Sequence, residues 1–98
     1  MAISFYHEFP DMSAQQAGQV LDKLGVKASP PAGQIFHAEG PLESGGTWVM
    51  DCWESPEALQ AFVEQKLMPA MQSLGVTPPQ PNILNTRAVL MPQGLREF

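Results

Sequence analysis

Two histidines, His7 and His37, are the side chains of this 98-residue chain best suited to trade protons near neutral pH. His7 stands in I-S-F-Y-H-E-F, beside Phe5, Tyr6 and Phe9. An imidazole there can act as a general base on an acidic hydroxyl. The plain alternative is a core or rim histidine satisfied by a backbone carbonyl. His37 has different company: if its strand pairs with W-V-M-D-C-W so that His37 lies opposite Asp51, the carboxylate orients the imidazole, and Arg87 from the last strand completes a charge network. No nucleophile accompanies the three, so hydrolase-type chemistry is not indicated. Their expected role is a polar cluster fixing the register of a dimer interface.

The remaining candidates are softer. Trp48 and Trp53 can stack on a planar ligand, although aromatic side chains pack well in a strand without one. Met50, Met68 and Met71 suit an adaptable apolar wall or an ordinary core. Cys52 is the single cysteine, so an intramolecular disulfide is impossible; with no cationic neighbour in sequence, it reads as a small buried hydrophobe. Zinc sites draw on several Cys or His at short spacing, which this sequence lacks, and no structural metal is expected.

These residues must be positioned by one small domain. Ten acidic against five basic residues give a net charge of -5, a field that repels phosphate backbones and anionic headgroups, so no nucleic acid and no membrane surface is expected as a partner. No segment approaches a membrane span, and a cytoplasmic location is the expectation. The alternation in residues 2–9 reads as a strand. Ser13 with Gln16 three residues later forms a capping-box start, Ala17, Val20, Leu21 and Leu24 follow at helical spacing, and Gly25 ends the helix. Residues 34–39 and 47–53 read as a hairpin joined by a glycine-rich turn. Ser55-Pro56-Glu57 opens a second helix, in which Pro69 should produce a kink or a fresh short helix. A proline-rich turn over 77–81 leads to a fourth strand over 82–91, and residues 92–98 read as a loosely ordered tail beyond a single domain of residues 1–91. Each half runs strand, helix, L-G-V, turn, strand. The resulting expectation is an α+β, ferredoxin-like βαββαβ fold: a four-stranded antiparallel sheet with two helices on one face.

Choosing the more apolar parity of each strand for the helix side selects Ile3, Phe5, His7, Phe9, Phe36, Ala38, Trp48, Met50, Cys52, Leu84, Thr86, Ala88 and Leu90. That leaves Tyr6, Ile35, His37, Glu39, Val49, Asp51, Trp53, Ile83, Asn85, Arg87 and Val89 on the other face. The second set is too apolar to stay wet and too polar for an ordinary core. A sheet-to-sheet homodimer resolves both.

At this point the chain resembles the dimeric α/β-barrel superfamily, and within it the small proteins related to antibiotic biosynthesis monooxygenases. The resemblance runs from about Ile3 to Leu90 and is carried by F-H-A-E-G-P, W-V-M-D-C-W-E-S and L-M-P-A-M-Q-S-L-G-V. The superfamily includes cofactor-independent quinone-forming oxygenases, haem-degrading enzymes, haem peroxidases and many members of no known activity. The resemblance implies a cavity between sheet and helices, with Phe5, Phe36, Trp48 and Met50 as pocket residues, His7 as the catalytic candidate and a small hydrophobic or aromatic ligand. The haem-degrading branch places an asparagine on the first strand and a histidine on the helix after the tryptophan; neither is present, so no cofactor is implied. The expected function is a cofactor-independent monooxygenase on a small aromatic or quinone-like compound, and the alternative is a non-catalytic dimeric binding or structural module.

Overall fold

The computed structural model describes residues 1–78, 80 and 82–98; Pro79 and Pro81, within the proline-rich turn expected at 77–81, lie outside the described residues. Strand β1 (Ala2–Phe9) leads into helix α1 (Ala14–Leu24). The expected capping box is present: Gln16 N–H donates to the Ser13 hydroxyl (3.1 Å) and Ser13 N–H to the Gln16 carbonyl (3.0 Å), satisfying amides the helix cannot. Gly25, at φ 67°, closes the helix in the left-handed conformation. Strands β2 (Gln34–Pro41) and β3 (Thr47–Trp53) form the hairpin.

Ser55 caps helix α2 (Pro56–Phe62) through Ala58 N–H (3.1 Å). The arm passes through a π-helical turn (Val63–Leu67) into α3 (Met68–Ser73). This is the local form of the irregularity expected at Pro69: proline gives no hydrogen bond to the preceding turn, and the chain adjusts just before it by an i to i−5 bond from Met68 N–H to Val63.

The sheet has the order β2-β3-β1-β4, with β4 at Leu84–Thr86, all pairs antiparallel. This is the ferredoxin-like order of the expected α+β fold. The single fourth strand expected at 82–91 divides instead: after β4, strand β5 (Ala88–Met91) leaves the sheet and pairs with β6 (Gly94–Glu97). The tail is therefore a strand rather than loose chain, tied back by Phe98 N–H to the Arg87 carbonyl (2.8 Å) and by Arg96 to Glu54 (2.8 Å).

Register decides which residues meet the helices. His37 lies opposite Asp51, as expected, but β1 pairs with β3 so that Phe5 is opposite Asp51, His7 opposite Val49 and Ile3 opposite Trp53. Directly opposed residues share a face. The helix face is thus Ile3, Phe5, His7 and Phe9 with Val49, Asp51, Trp53, His37 and Glu39. Trp48, Met50, Cys52, Phe36 and Ala38 share the opposite face with Ser4, Tyr6 and Glu8. The expected facing of β2 and β3 is inverted, and so is that of β4, where Leu84 and Thr86 accompany Ser4 and Ala2 while Asn85 accompanies Ile3.

The core is divided. Ile3, Phe5 and Trp53 pack against Ala58, Leu59 and Phe62, while Phe9, Met12, Ala17, Val20 and Met71 form a second cluster under α1 and α3. Phe5 from the first cluster and all five members of the second border one cavity, so the space between sheet and helices is not filled.

Candidate functional site

That cavity has a volume of about 440 Å³. Its walls are apolar: Val20, Leu21 and Leu24 of α1 on one side, Phe62, Leu67 and Met71 of the second helical arm on the other. Its polar groups are few. Gln34, His37 and Glu39 come from β2, Asp51 from β3, and Lys27 from the loop after α1. An apolar enclosure with a small cluster of convergent polar side chains is the usual form of a small-molecule site.

Strand alternation places His37 and Glu39 on one side of β2, and the pairing sets His37 opposite Asp51 and Glu39 opposite Val49. His37 Nδ1 is 2.5 Å from Asp51 Oδ1, and Nε2 is 2.7 Å from Glu39 Oε1. The second Asp51 oxygen accepts from the indole N–H of Trp53 (3.1 Å) and from the Gln34 amide (3.5 Å). Asp51 is 6% exposed, and its burial is tolerated because both oxygens are bonded. Trp53, fully buried, packs on Phe62 with ring centroids 5.2 Å apart and so fixes the donor that holds Asp51.

The hydrogen bond to Asp51, reinforced by Glu39 and opposed by burial, pushes His37 up from 6.5 to about 9. At neutral pH the ring is an imidazolium that donates from both nitrogens. A folded-state pKa above the unfolded one contributes stability that is complete below pH 6.5 and is lost as the pH rises through about 9. The melting temperature is therefore expected to fall across that window, and His37→Gln should remove this part of the slope. An unchanged slope in the variant would show that the ring is not held as a cation.

Among the described residues, no group of three or more His, Cys, Asp or Glu is placed to hold a metal ion. The reason here is geometric: the two carboxylates sit on opposite nitrogens of one ring and do not converge.

The other expected site residues are distributed differently. Phe5 lines the cavity, and Phe36 borders it beside the register shift between Gln34 and Phe36. Trp48 and Met50 do not: they stand on the open face, where Trp48 stacks with Tyr6 at 6.4 Å and Met50 is 39% exposed. His7 is half-buried with its ring edge against Phe9 (4.7 Å), and it borders a separate surface recess with Asp11, Gln16 and Thr77. Arg87 is exposed after β4, with β1 between that strand and β3, so it does not join His37 and Asp51. Glu39 takes the third place in the cluster. Its signal was present in the sequence as H-x-E on a strand, a spacing that puts both side chains on one face.

No protein-family model matches the chain, and no curated protein does. Solved structures do match. SnoaB, a cofactor-independent oxygenase from Streptomyces nogalater, aligns in a mutant form over 91% of this chain and 96% of its own, with a TM-score of 0.61 and 14% identity. Another SnoaB structure gives 0.59 at 11% identity, covering 91% of this chain and 93% of that one. The NE2512 protein of unknown function from Nitrosomonas europaea gives 0.54 at 17% identity, over 85% of this chain and 82% of its own. The chain has the fold of these proteins, the α+β, ferredoxin-like arrangement anticipated from the sequence.

Proposed function

We propose that this chain is a cofactor-independent monooxygenase that converts a small phenolic compound to a quinone in the cavity above His37 and Asp51. The observation that carries the reading is the cavity itself, apolar over most of its wall and floored by a hydrogen-bonded His–Asp pair. The shared fold with an oxygenase of this kind adds support.

The chemistry balances without an external reductant. A phenol with a free para position loses its hydroxyl proton, and the electron-rich phenolate passes one electron to oxygen. The radical pair combines to form a C–O bond at the para carbon, and protonation gives a hydroperoxide. Loss of the para proton with O–O cleavage then leaves the second carbonyl and water. All four electrons that reduce oxygen come from the ring. His37 holds the phenolate oxygen through its Nε2–H; the hydroxyl proton returns to the peroxide through solvent, and the para proton joins the departing hydroxide as water. Asp51 holds the ring in position throughout, and the apolar walls exclude water from the radical pair.

With 1-naphthol as probe, an oxygen electrode should record one oxygen consumed per 1,4-naphthoquinone formed with no reductant added. Binding without oxygen uptake across a panel of phenols would make the chain a binding module instead.

The same reading includes a homodimer working in the cytoplasm. No helix among the described residues is long and apolar enough to cross a membrane. The open sheet face carries Tyr6, Met50 and Leu84 at 45%, 39% and 56% exposure, with Trp48 stacked beside Tyr6, an apolar area of the kind that marks an interface. Light scattering is expected to give about twice the 10.7 kDa chain mass, and Met50→Glu to shift the protein toward monomer. A wild-type monomer at micromolar concentration would remove the dimer from the proposal.

A further inference from the structure

His37 has no free nitrogen. Nδ1 is held by Asp51 and Nε2 by Glu39, so a ligand in the cavity can reach the ring only where one carboxylate gives way. The two are not equally held. Asp51 is buried and accepts from three side chains, His37, Trp53 and Gln34. Glu39 bonds only to His37 among the described residues, its side chain is 24% exposed, and it stands on β2, an edge strand of the sheet. A rotation of its side chain takes the carboxylate into water at little desolvation cost, whereas Asp51 would leave a buried indole N–H unpaired.

We infer that Glu39 is an internal counter-ion occupying the place of the substrate's acidic oxygen, and that the cavity selects aromatic compounds bearing an anionic or readily ionised oxygen, which displaces Glu39 from His37 Nε2. This rests on the proposed function for the identity of the cavity as the substrate site. Charge is conserved in the exchange: the imidazolium loses one anion and gains another. The cost of releasing Glu39 sets the selectivity, because a neutral ring gains nothing by making the exchange. A phenol bound this way is favoured as its phenolate, the form that gives up an electron to oxygen. Lys27 also borders the cavity, 3.4 Å from Asp22, and is mostly exposed, so it adds to the positive field without competing for Nε2.

The test compares binding of 1-naphthoate, an anion at neutral pH, with that of 1-methoxynaphthalene, a neutral ether of similar size, by calorimetry on the intact protein. Glu39→Gln is expected to bind 1-naphthoate about tenfold more tightly than wild type, a difference of about 1.4 kcal/mol, and to bind the ether within about twofold of wild type. His37→Gln should lose the preference for the anion. Unchanged or weaker naphthoate binding in Glu39→Gln would overturn the inference. So would equal tightening for both ligands, which would mean only that the pocket had become less polar. Because the readout is binding, a chain that shows this pattern but consumes no oxygen refutes the oxygenase reading and leaves the role of Glu39 standing.

Discussion

Replacing His37 with Ala lowers the turnover of 1-naphthol by about a hundredfold or more, the range lost when a donor to the reacting oxyanion is removed. The effect falls mainly on the maximal rate, because the aromatic ring is held by the apolar walls and the lost interaction is strongest with the charged species formed during reaction. Some stability is lost as well, because the buried Asp51 carboxylate keeps only Trp53 and Gln34 as donors, so turnover is compared well below the variant's melting temperature. His7→Ala is the necessary companion. That ring packs on Phe9 and borders a different recess, so its removal should change turnover by less than about threefold. Steady-state oxygen uptake by the two variants separates them, and the reverse order would return the site to His7.

The second large effect is on stability as well as rate. Asp51→Ala is expected to destabilise the fold by about 3 kcal/mol, because it leaves the buried Trp53 N–H without an acceptor and removes the more deeply buried of the two carboxylates that hold the His37 cation. For a chain of this length that corresponds to a fall in melting temperature on the order of 15 °C. Asp51→Asn retains an acceptor for the indole and should recover part of the stability. It should not recover activity, since a neutral amide cannot hold the imidazolium as a carboxylate does. A variant as stable and as active as wild type would mean that the pair is incidental to both. Thermal unfolding followed by tryptophan fluorescence, alongside oxygen uptake, reads both consequences.

The elements up to the second helical arm, and their order, were legible because local signals were strong and agreed with one another. Ser13 with Gln16, Ser55 with Pro56, and Gly25 each act within one turn of chain, and the pairing of His37 with Asp51 follows from the hairpin. The facing of β2 and β3 was not legible. Both faces of this sheet are apolar, one against helices and one carrying Tyr6, Trp48, Met50 and Leu84, so hydrophobic alternation has no contrast to report. Choosing the parity with Trp48 and Met50 for the helix side was the natural reading of β3 alone. The structure places the other parity inside because Asp51 finds three donors there and because the helices stand off from the sheet around a cavity.

The candidate site inherited that inversion. Phe5 belongs to the cavity, and His37 and Asp51 form a pair as expected, yet the pair lies under the helices rather than on the open sheet face. Arg87 would join the cluster only on a continuous fourth strand beside β3; β4 ends at Thr86 and lies across β1 from β3. The turn that divides the last strand had its own signal. Met91-Pro92-Gln93-Gly94 sets a proline at the first position of a two-residue connection and a glycine directly after it, a pattern that favours a hairpin over a loose tail.

The most direct test of the central claim uses the fact that the chain has two histidines. Long-range ¹H–¹⁵N spectra of the imidazole rings, recorded without oxygen while 1-naphthol is added, report on each ring separately, with His7→Gln supplying the assignment. If the ligand binds above the His37–Asp51 pair, the His37 Nε2 resonance moves to saturation as Glu39 is replaced, and both His7 nitrogens stay within a small fraction of that shift. Saturable movement of His7 with His37 unchanged would contradict the account.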